Sequence, residues 1–230
     1  MRLHAVCGRF NLIDSAKVKC LCEALGIDLL EYQKQRDIAP GHTIAIVHSL
    51  SGIRQVSDAI WWLLLETRTL KPNYRYASFN SRSDKLFAEG SISYVPFRQS
   101  RCIIPASAFI EGLGDKKIYH KVELENSAIA FGGLCKEHLN QETGEIIYSA
   151  SIITHSPSTP EWREIHPKSM PFIIDFTNQT LVEQWLDPSF QVVEGFRQFF
   201  AVNAERPMRV TRIGKPSKWN PVSESFLINA

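Results

Sequence analysis

A cysteine thiol stands near the start of the chain, at Cys7, and Gly8 and Arg9 follow it directly. Glycine has no side chain to keep a ligand away from the backbone, and an arginine can bind an anionic group. If the residues before Cys7 were removed, this cysteine would carry a thiol and a free α-amine together. A 1,2-aminothiol captures an aldehyde first as an imine and then as a five-membered thiazolidine ring. The residues alone leave two interpretations open: an aldehyde-capturing nucleophile and a small buried thiol.

Two physical properties favour aldehyde capture by such a terminus. An α-amine has a pKa of about 7.7–8.0, so a useful fraction of it is neutral and nucleophilic near physiological pH. The second bond forms within one molecule, where well-placed groups reach effective concentrations on the order of 10⁵ M or more. Both properties apply only if Cys7 becomes the first residue of the chain.

A carboxyl group, Glu111, ends an apolar run that begins at Arg101. The run predicts one buried strand over residues 101–112. Loss of hydration at the end of such a strand would suit Glu111 to proton transfer. A surface glutamate at a strand end is the alternative interpretation.

Residues 68–101 hold the clear charge bias of the chain, with seven basic residues against two acidic ones. Aromatic side chains are interleaved with them, a composition that suits a phosphate backbone with unstacked bases; a solvated loop is the competing account. The adjacent Trp61 and Trp62 predict one core residue and one partly exposed stacking platform. The basic residues are Arg68, Lys71, Arg75, Arg82, Lys85, Arg98 and Arg101.

The elements that must position these groups are mostly short strands. A helix is predicted over residues 17–25, capped by Asp14 or Ser15 and ending at Gly26, and a short helix over residues 181–186. Residues 155–169 are predicted to be irregular, and the tail from residue 203 to be loop-like. We predict one α+β domain over residues 1–230.

Composition excludes several classes of protein. With 230 residues and a net charge of +2, the chain can form one large core and has no overall bias towards nucleic acid. The five cysteines include no C-x-x-C pair, and no His or Cys lies at a zinc-binding spacing. No apolar run approaches the ~20 residues of a membrane span, and no secretory signal is recognisable. We expect a cytoplasmic, nucleoid-associated monomer without metal or cofactor, its thiols reduced.

Taken in order, the segments resemble the SOS-response-associated peptidase family, the abasic-site shielding proteins. The resemblance covers nearly the whole chain, and its motifs are specific in their order and spacing. They are Cys7-Gly8-Arg9-Phe10, Ala39-Pro40-Gly41, Asn80-Ser81-Arg82-Ser83-Asp84, Arg101-Cys102 through Pro105-Ala106 to Phe109-x-Glu111, Ile153-Thr154, and Ile165-His166 with Met170-Pro171.

The resemblance implies a compact, strand-rich fold with a barrel-like mixed sheet and a basic groove for single-stranded DNA that contains abasic sites. In such a protein Cys7 bonds covalently to the aldehyde of the abasic site. Asn80 orients the reacting group, Glu111 acts as acid or base near the α-amine, and His166 shuttles a proton to the opening sugar or the imine. The same set could serve self-cleavage, in which the thiol attacks the preceding carbonyl and releases the N-terminal segment.

The resemblance also implies a set of DNA contacts. By motif position, Arg9 and Arg82 bind phosphates, Lys168 is a weaker phosphate contact, and Trp61 and Pro40 lie beside the DNA.

The chain departs from the family pattern at several positions. Six residues precede Cys7, where members usually begin Met-Cys-Gly-Arg, and we expect these six to be removed or to reflect a later translation start. A tryptophan is lost from the motif that begins at Trp61. Ser169 stands in place of an arginine, Asp37 in place of a common asparagine, and Gly112 in place of an aromatic residue.

Three functions therefore remain in competition. The first is covalent capture of abasic sites through Cys7, with protection of the lesion. The second is a cysteine peptidase that acts on itself or on other chains. The third is a module that binds single strands without covalent chemistry, for which affinity would depend on salt but not on Cys7.

Overall fold

The computed structural model describes residues 8–30, 32, 34–113, 117–157, 159–201 and 206–229. Within them the chain forms thirteen strands, five α-helices and two short 3₁₀ helices. The strands are β1 Arg9–Ile13, β2 Lys34–Ile38, β3 Thr43–Leu50, β4 Ile53–Trp61, β5 Asn80–Arg82, β6 Arg101–Ala106, β7 Ala108–Leu113, β8 Ile118–Leu124, β9 Ile129–Leu139, β10 Ile146–His155, β11 Met170–Pro171, β12 Pro207–Ile213 and β13 Pro221–Asn229. The helices are α1 Ala16–Leu25, α2 Tyr94–Gln99, α3 Pro160–Ile165, α4 Gln179–Leu186 and α5 Arg197–Ala201, and the 3₁₀ helices are Ser83–Lys85 and Val193–Phe196.

Five strands close into a mixed barrel. Around it the order is β10-β4-β3-β6-β9, and β9 pairs again with β10. The β10–β4 pair is parallel and the others are antiparallel. The short β5 continues the parallel pairing along β10, beyond the end of β4. Strands β4 and β5 therefore lie one after the other along the same edge of β10, and the site described below opens at the β5 end.

The remaining sheet is antiparallel, in the order β13-β12-β8-β7-β1-β2. Buried side chains from both sheets form one cluster, in which Phe10 and Phe109 from this sheet meet Trp61 and Phe131 from the barrel. Helices cover the outside of the barrel and a second cluster of buried apolar residues. The predicted α+β, strand-rich fold with a barrel-like sheet is confirmed.

Helix α1 shows how local sequence fixes an element. Ser15 caps its first turn, with the Oγ atom accepting a hydrogen bond from the Val18 N–H at 3.2 Å. Gly26 ends it in the left-handed region, at φ +63°, which glycine adopts at little cost. The predicted helix is confirmed, with Ser15 as its cap.

Three predictions about elements are wrong. The apolar run from Arg101 is two strands, β6 and β7, that lie in different sheets. The chain turns at Ser107, whose hydroxyl donates to the Ile13 carbonyl and accepts from its N–H. The segment predicted to be irregular contains α3, capped by Thr159. The tail forms the hairpin of β12 and β13. It is ordered because β12 pairs with β8 and so extends the antiparallel sheet.

Candidate functional site

A pocket of about 400 Å³ opens where β5 runs parallel to β10. Asn80 lies opposite Ile152 and Arg82 opposite Thr154, so the carboxyl ends of both strands meet at its floor. Ligands commonly bind beyond the carboxyl ends of parallel strands. The pocket brings together three predicted residues, Asn80, Arg82 and Lys168. Its other lining residues are Ala77, Phe79, Ser83, Asp84, Thr154, His155, Ser156 and Ser169.

Trp61 lies behind the pocket rather than in it. Its side chain is 0% exposed, and its Nε1–H donates to the Phe79 carbonyl at 2.9 Å. The same carbonyl accepts the Ile152 N–H at 3.0 Å. The predicted contact of Trp61 with DNA is therefore wrong, because the indole is buried and fixes the residue before Asn80.

Trp62 is also buried, at 2% exposure, and donates to the Asn73 carbonyl at 3.2 Å. The expectation that one of the two tryptophans would be an exposed stacking platform is wrong for this reason.

A line of aromatic rings connects the strand of Asn80 to α3. Neighbouring ring centroids lie 4.8–6.0 Å apart, mostly edge to face, an arrangement that favours fixed packing. The line ends at Trp162, whose Nε1–H donates to the Ser169 carbonyl at 2.9 Å. In order, the rings are Phe79, Trp61, Phe10, Phe131, Phe109 and Trp162.

His166 follows α3 directly and borders the pocket through Ser169. Its Nδ1 lies 3.2 Å from both the N–H and the carbonyl oxygen of Ser169. Burial lowers the pKa of His166, while the bond with Ser169 acts in the opposite direction. A neutral imidazole results near pH 7, and its Nε2 is not used by either contact with Ser169.

Two cations give the pocket rim its positive charge. Lys168 and Arg82 are exposed, and Arg82 bonds to the Asp84 carboxylate with its Nε at 2.9 Å. The hydrogen bond from Arg82 lowers the pKa of Asp84, which therefore stays charged. Because the pair is solvent-exposed, its attraction is weak, and a phosphate can compete for the guanidinium.

Glu111 lies outside this pocket, on β7. It is 1% exposed and stands opposite His120 of β8. Phe109, two residues earlier on the same face of β7, packs against Trp162 of α3. Helix α3 therefore links the strand of Glu111 to the pocket that His166 borders.

Gly112 follows Glu111 where the resembling family has an aromatic residue. A Cβ atom at Gly112 would lie 2.2 Å from the Ile118 carbonyl oxygen. The close approach of β7 and β8 therefore requires glycine here.

Arg9 is also held by a carboxylate. Its Nη1 lies 2.5 Å from Asp37 Oδ2, and the Trp219 Nε1–H donates to Asp37 Oδ1 at 3.0 Å. Arg9 stands opposite Ile110, the neighbour of Glu111, at the end of β1 that follows Cys7. Cys7 itself lies outside the described residues.

The basic residues of segment 68–101 lie partly in the interior and partly on the surface. Arg101 is buried, and its guanidinium donates to carbonyls at the ends of α2 and α4, among them Phe97, Trp185 and Asp187. Arg98 stacks on Tyr94 and pairs with Glu194. These two arginines serve packing, so neither of the two interpretations left open for the segment, a phosphate-binding cluster or a solvated loop, describes them.

The rest of this region offers exposed aromatics near Pro40. Tyr74 and Tyr76 are 70% and 57% exposed. The Tyr74 hydroxyl lies close to Gly41, 3.6 Å from the position that a Cβ atom would occupy there. The turn that contains the half-buried Pro40 is therefore next to Tyr74. Arg68, Lys71 and Arg75 are nearby in sequence. The loop therefore exposes both aromatic side chains and positive charge.

Within the described parts of the chain, no helix is long and apolar enough to cross a membrane. The same residues include no cluster of three His, Cys, Asp or Glu side chains that could hold a metal ion.

The sequence model of one protein family, SOS response associated peptidase (SRAP), matches residues 6–216. The chain belongs to this family. It is 30% identical over 191 residues to the abasic site processing protein YobE of Bacillus subtilis, a match that covers 80% of this chain and 83% of that protein. The abasic site processing protein YoqW of Bacillus phage SPbeta is also 30% identical over 191 residues, with 80% and 81% covered.

Solved structures share the SRAP fold of this chain. A protein from Bordetella bronchiseptica superimposes with a TM-score of 0.67 at 17% identity, covering 90% of this chain and 99% of its own. A protein from Bacteroides thetaiotaomicron gives a TM-score of 0.67 at 21% identity, with 93% and 97% covered.

Trp219 lies beyond the part of the chain that the SRAP family model matches.

Proposed function

We propose that this protein captures abasic sites in single-stranded DNA covalently through Cys7 and so shields the lesion. The observation that carries the proposal is the pocket of Asn80, Arg82 and Lys168 in an SRAP chain whose curated relatives are named abasic site processing proteins. A pocket with an amide and two cations suits a sugar that is flanked by phosphates.

The reaction begins when the free α-amine of Cys7 adds to the aldehyde carbon of the opened sugar. Loss of water from the adduct leaves an imine. The thiol then adds to the imine carbon, its proton passes to the nitrogen, and the thiazolidine ring closes. Glu111 serves as acid or base for the amine, Asn80 orients the sugar, and His166 supplies a proton to the sugar or the imine. Arg9 lies opposite the neighbour of Glu111, which supports a role for Glu111 near the start of β1.

Cys7 must first become the N-terminal residue. Attack of its thiol on the preceding carbonyl, assisted by Glu111 or His166, would move the acyl group from nitrogen to sulfur and free the α-amine. Water would then hydrolyse the thioester, which releases the segment as a carboxylate and restores the thiol. The family's description as a peptidase agrees with such a step.

DNA binding has two supports on the surface. The exposed Arg82 and Lys168 offer charge to the phosphates next to the lesion. The exposed Tyr74 and Tyr76 offer faces on which unpaired bases can stack.

The test combines N-terminal analysis with adduct formation. The protein expressed from Met1 is examined by intact mass and N-terminal sequencing and then incubated with a single-stranded oligonucleotide that holds one abasic site. We expect a chain that begins at Cys7 and a denaturation-resistant adduct that Cys7→Ala abolishes. The matched control is Cys7→Ser in a chain shortened to a single Met before this position, because its α-amine still permits an imine but its hydroxyl gives no thiazolidine.

Other outcomes favour other functions. If only a shorter chain that begins Met-Cys7 forms the adduct, release of the segment does not occur under these conditions and capture stands. If that shorter chain also forms none, but binds the oligonucleotide with salt-dependent affinity, the non-covalent module replaces the proposal. Release of the segment without any adduct would favour a peptidase.

A further inference from the structure

His155 is a pocket residue that the resemblance does not assign. It ends β10, opposite Met170 of β11, and its ring stands edge-on to Phe172 with centroids 6.4 Å apart. The side chain is 7% exposed and lines the same pocket as Asn80 and Lys168. A buried imidazole beside an amide and a cation is a candidate for proton transfer.

The contact with Ser156 fixes the tautomer of His155. Its Nδ1 lies 3.0 Å from the Ser156 carbonyl oxygen. A carbonyl oxygen only accepts hydrogen bonds, so the proton of the neutral ring must be on Nδ1. The lone pair is therefore on Nε2, the nitrogen that this bond leaves for a ligand. Burial lowers the pKa of His155, against the opposing effect of the Ser156 bond, which keeps the ring neutral near pH 7.

His166 differs in this respect, although both histidines border the Ser169–Met170 segment. Its Nδ1 is equally close to a donor and an acceptor of Ser169, so either tautomer fits. In the tautomer that accepts from the Ser169 N–H, His166 has its proton on Nε2 and can donate it. The pair thus offers one fixed base and one neutral N–H donor.

We propose that His155 is the general base that opens the closed sugar of an abasic site. The inference rests on the proposed function, since an abasic 2-deoxyribose hides its aldehyde in a cyclic hemiacetal. His155 Nε2 takes the proton of the anomeric hydroxyl, and that O–H electron pair forms the carbonyl bond. The bond from the anomeric carbon to the ring oxygen breaks. The ring oxygen accepts a hydrogen bond from His166 Nε2 and takes a proton from water, and the hydroxide that remains takes the proton back from His155. The aldehyde is then free for the α-amine of Cys7.

The charges around the pocket agree with this direction of proton flow. Arg82 and Lys168 would stabilise negative charge that develops on the sugar oxygens. Asp84 is the one carboxylate among the described lining residues, and its bond to Arg82 holds its charge at the guanidinium.

The experiment compares two substrates on the protein that gives the adduct in the preceding test. One single-stranded oligonucleotide carries an abasic site, and a matched one carries an acyclic aldehyde that cannot close into a ring. The variant is His155→Asn, whose amide can still donate to the Ser156 carbonyl but offers no base. His155→Gln is a second variant, and the thermal unfolding midpoint of each is measured as a check on folding.

We expect either variant to slow capture of the abasic site by about 10²-fold, the usual contribution of a general base. Capture of the acyclic aldehyde should stay within about twofold of the wild-type rate, because no ring has to open. Equal slowing on both substrates, or no slowing on either, would overturn the role of His155. Absence of any adduct between the wild-type protein and the abasic site would instead refute the proposed function.

Discussion

At the scale of single residues, the Phe79 carbonyl oxygen decides where Asn80 stands. It accepts hydrogen bonds from the Trp61 indole and from the Ile152 N–H. One bond ties β5 to the core and the other ties it to β10. A three-residue strand has few bonds of its own, so these two contacts help to fix the backbone at Asn80.

Trp61→Phe should loosen this arrangement without removing any predicted site residue from the pocket. Loss of the indole bond and of buried volume should lower the free energy of unfolding by about 1–3 kcal/mol, measured in denaturant. The rate of adduct formation should fall as well, because Asn80 is less well placed.

The matched control is Trp62→Phe, which removes an indole bond to Asn73 instead. It should cost similar stability but leave the adduct rate close to that of the wild type. Equal rates for the two variants would contradict a positioning role for Trp61.

At the scale of elements, the loop 214–220 ties together strands that do not pair. It joins β12 to β13, yet Trp219 bonds to Asp37 of β2, which three strands separate from β12 in the sheet order. Trp219 has φ +57°, a left-handed conformation that costs a non-glycine residue energy. Its bond to Asp37 compensates for that cost and keeps Asp37 beside Arg9.

Asp37→Asn should release Arg9 while the amide oxygen still accepts from Trp219. Affinity for single-stranded DNA should rise, and the slope of log affinity against log salt should steepen by about 0.7, as for one more phosphate contact. Fluorescence anisotropy over a salt series measures both quantities. Asp14→Asn makes the same charge change at an exposed position, and an identical slope for the two variants would show that Arg9 contacts no phosphate.

The loop of Tyr74 and Tyr76 makes a separate prediction about this surface. Replacement of both by serine should weaken binding to single-stranded DNA by about 1–3 kcal/mol for each stacked base. Phe226→Ser is the control, since Phe226 is 46% exposed on β13, an edge strand of the other sheet. Unchanged affinity in the tyrosine variant, measured at fixed salt, would exclude this loop from the binding surface.

At the scale of the whole molecule, buried and half-buried imidazoles make folding sensitive to acid. Burial is the largest cause of a lowered pKa at five histidines in different parts of the fold. The unfolded chain, with a histidine pKa of about 6.5, binds more protons than the folded chain below that pH. These residues are His48, His120, His138, His155 and His166.

The free energy of unfolding should therefore be highest above about pH 6.5 and decrease as the pH falls towards 5. Denaturant unfolding at several pH values measures the trend, above the range in which the carboxylates titrate. His138→Gln, which keeps a hydrogen-bonding group near Ser149, should make the decrease less steep. Constant stability between pH 7.5 and 5 would contradict the prediction.

Much of the fold could be predicted because its signals are local. Ser15 and Gly26 define the ends of α1 through their own backbone and side-chain preferences, and the short strands follow from apolar runs between turns. The break at Ser107 could not be predicted, since the residues on both sides are equally apolar and only pairing with different sheets separates them.

The candidate site divides in the same way. The motifs that hold Cys7, Asn80, Glu111 and His166, in their order and spacing along the chain, were enough for the sequence to determine the family of this protein and to suggest its chemistry. Exposure, pairing and tautomer were decided by the tertiary structure alone. Each depends on atoms far away in sequence, as the hydrogen bond from the Trp61 indole to the Phe79 carbonyl demonstrates.

Arg9, Arg101 and His155 also show the difference between what the sequence determines and what the tertiary structure decides. Sequence gives Arg9 and Arg101 the same charge, but one lies beside Asp37 and the other is enclosed by helix carbonyls. The sequence does not distinguish His155 from a core histidine, and its place in the pocket follows from the parallel pairing of β5 and β10. Charge and chemical type belong to a residue, whereas its electrostatic surroundings arise only when distant strands pack together.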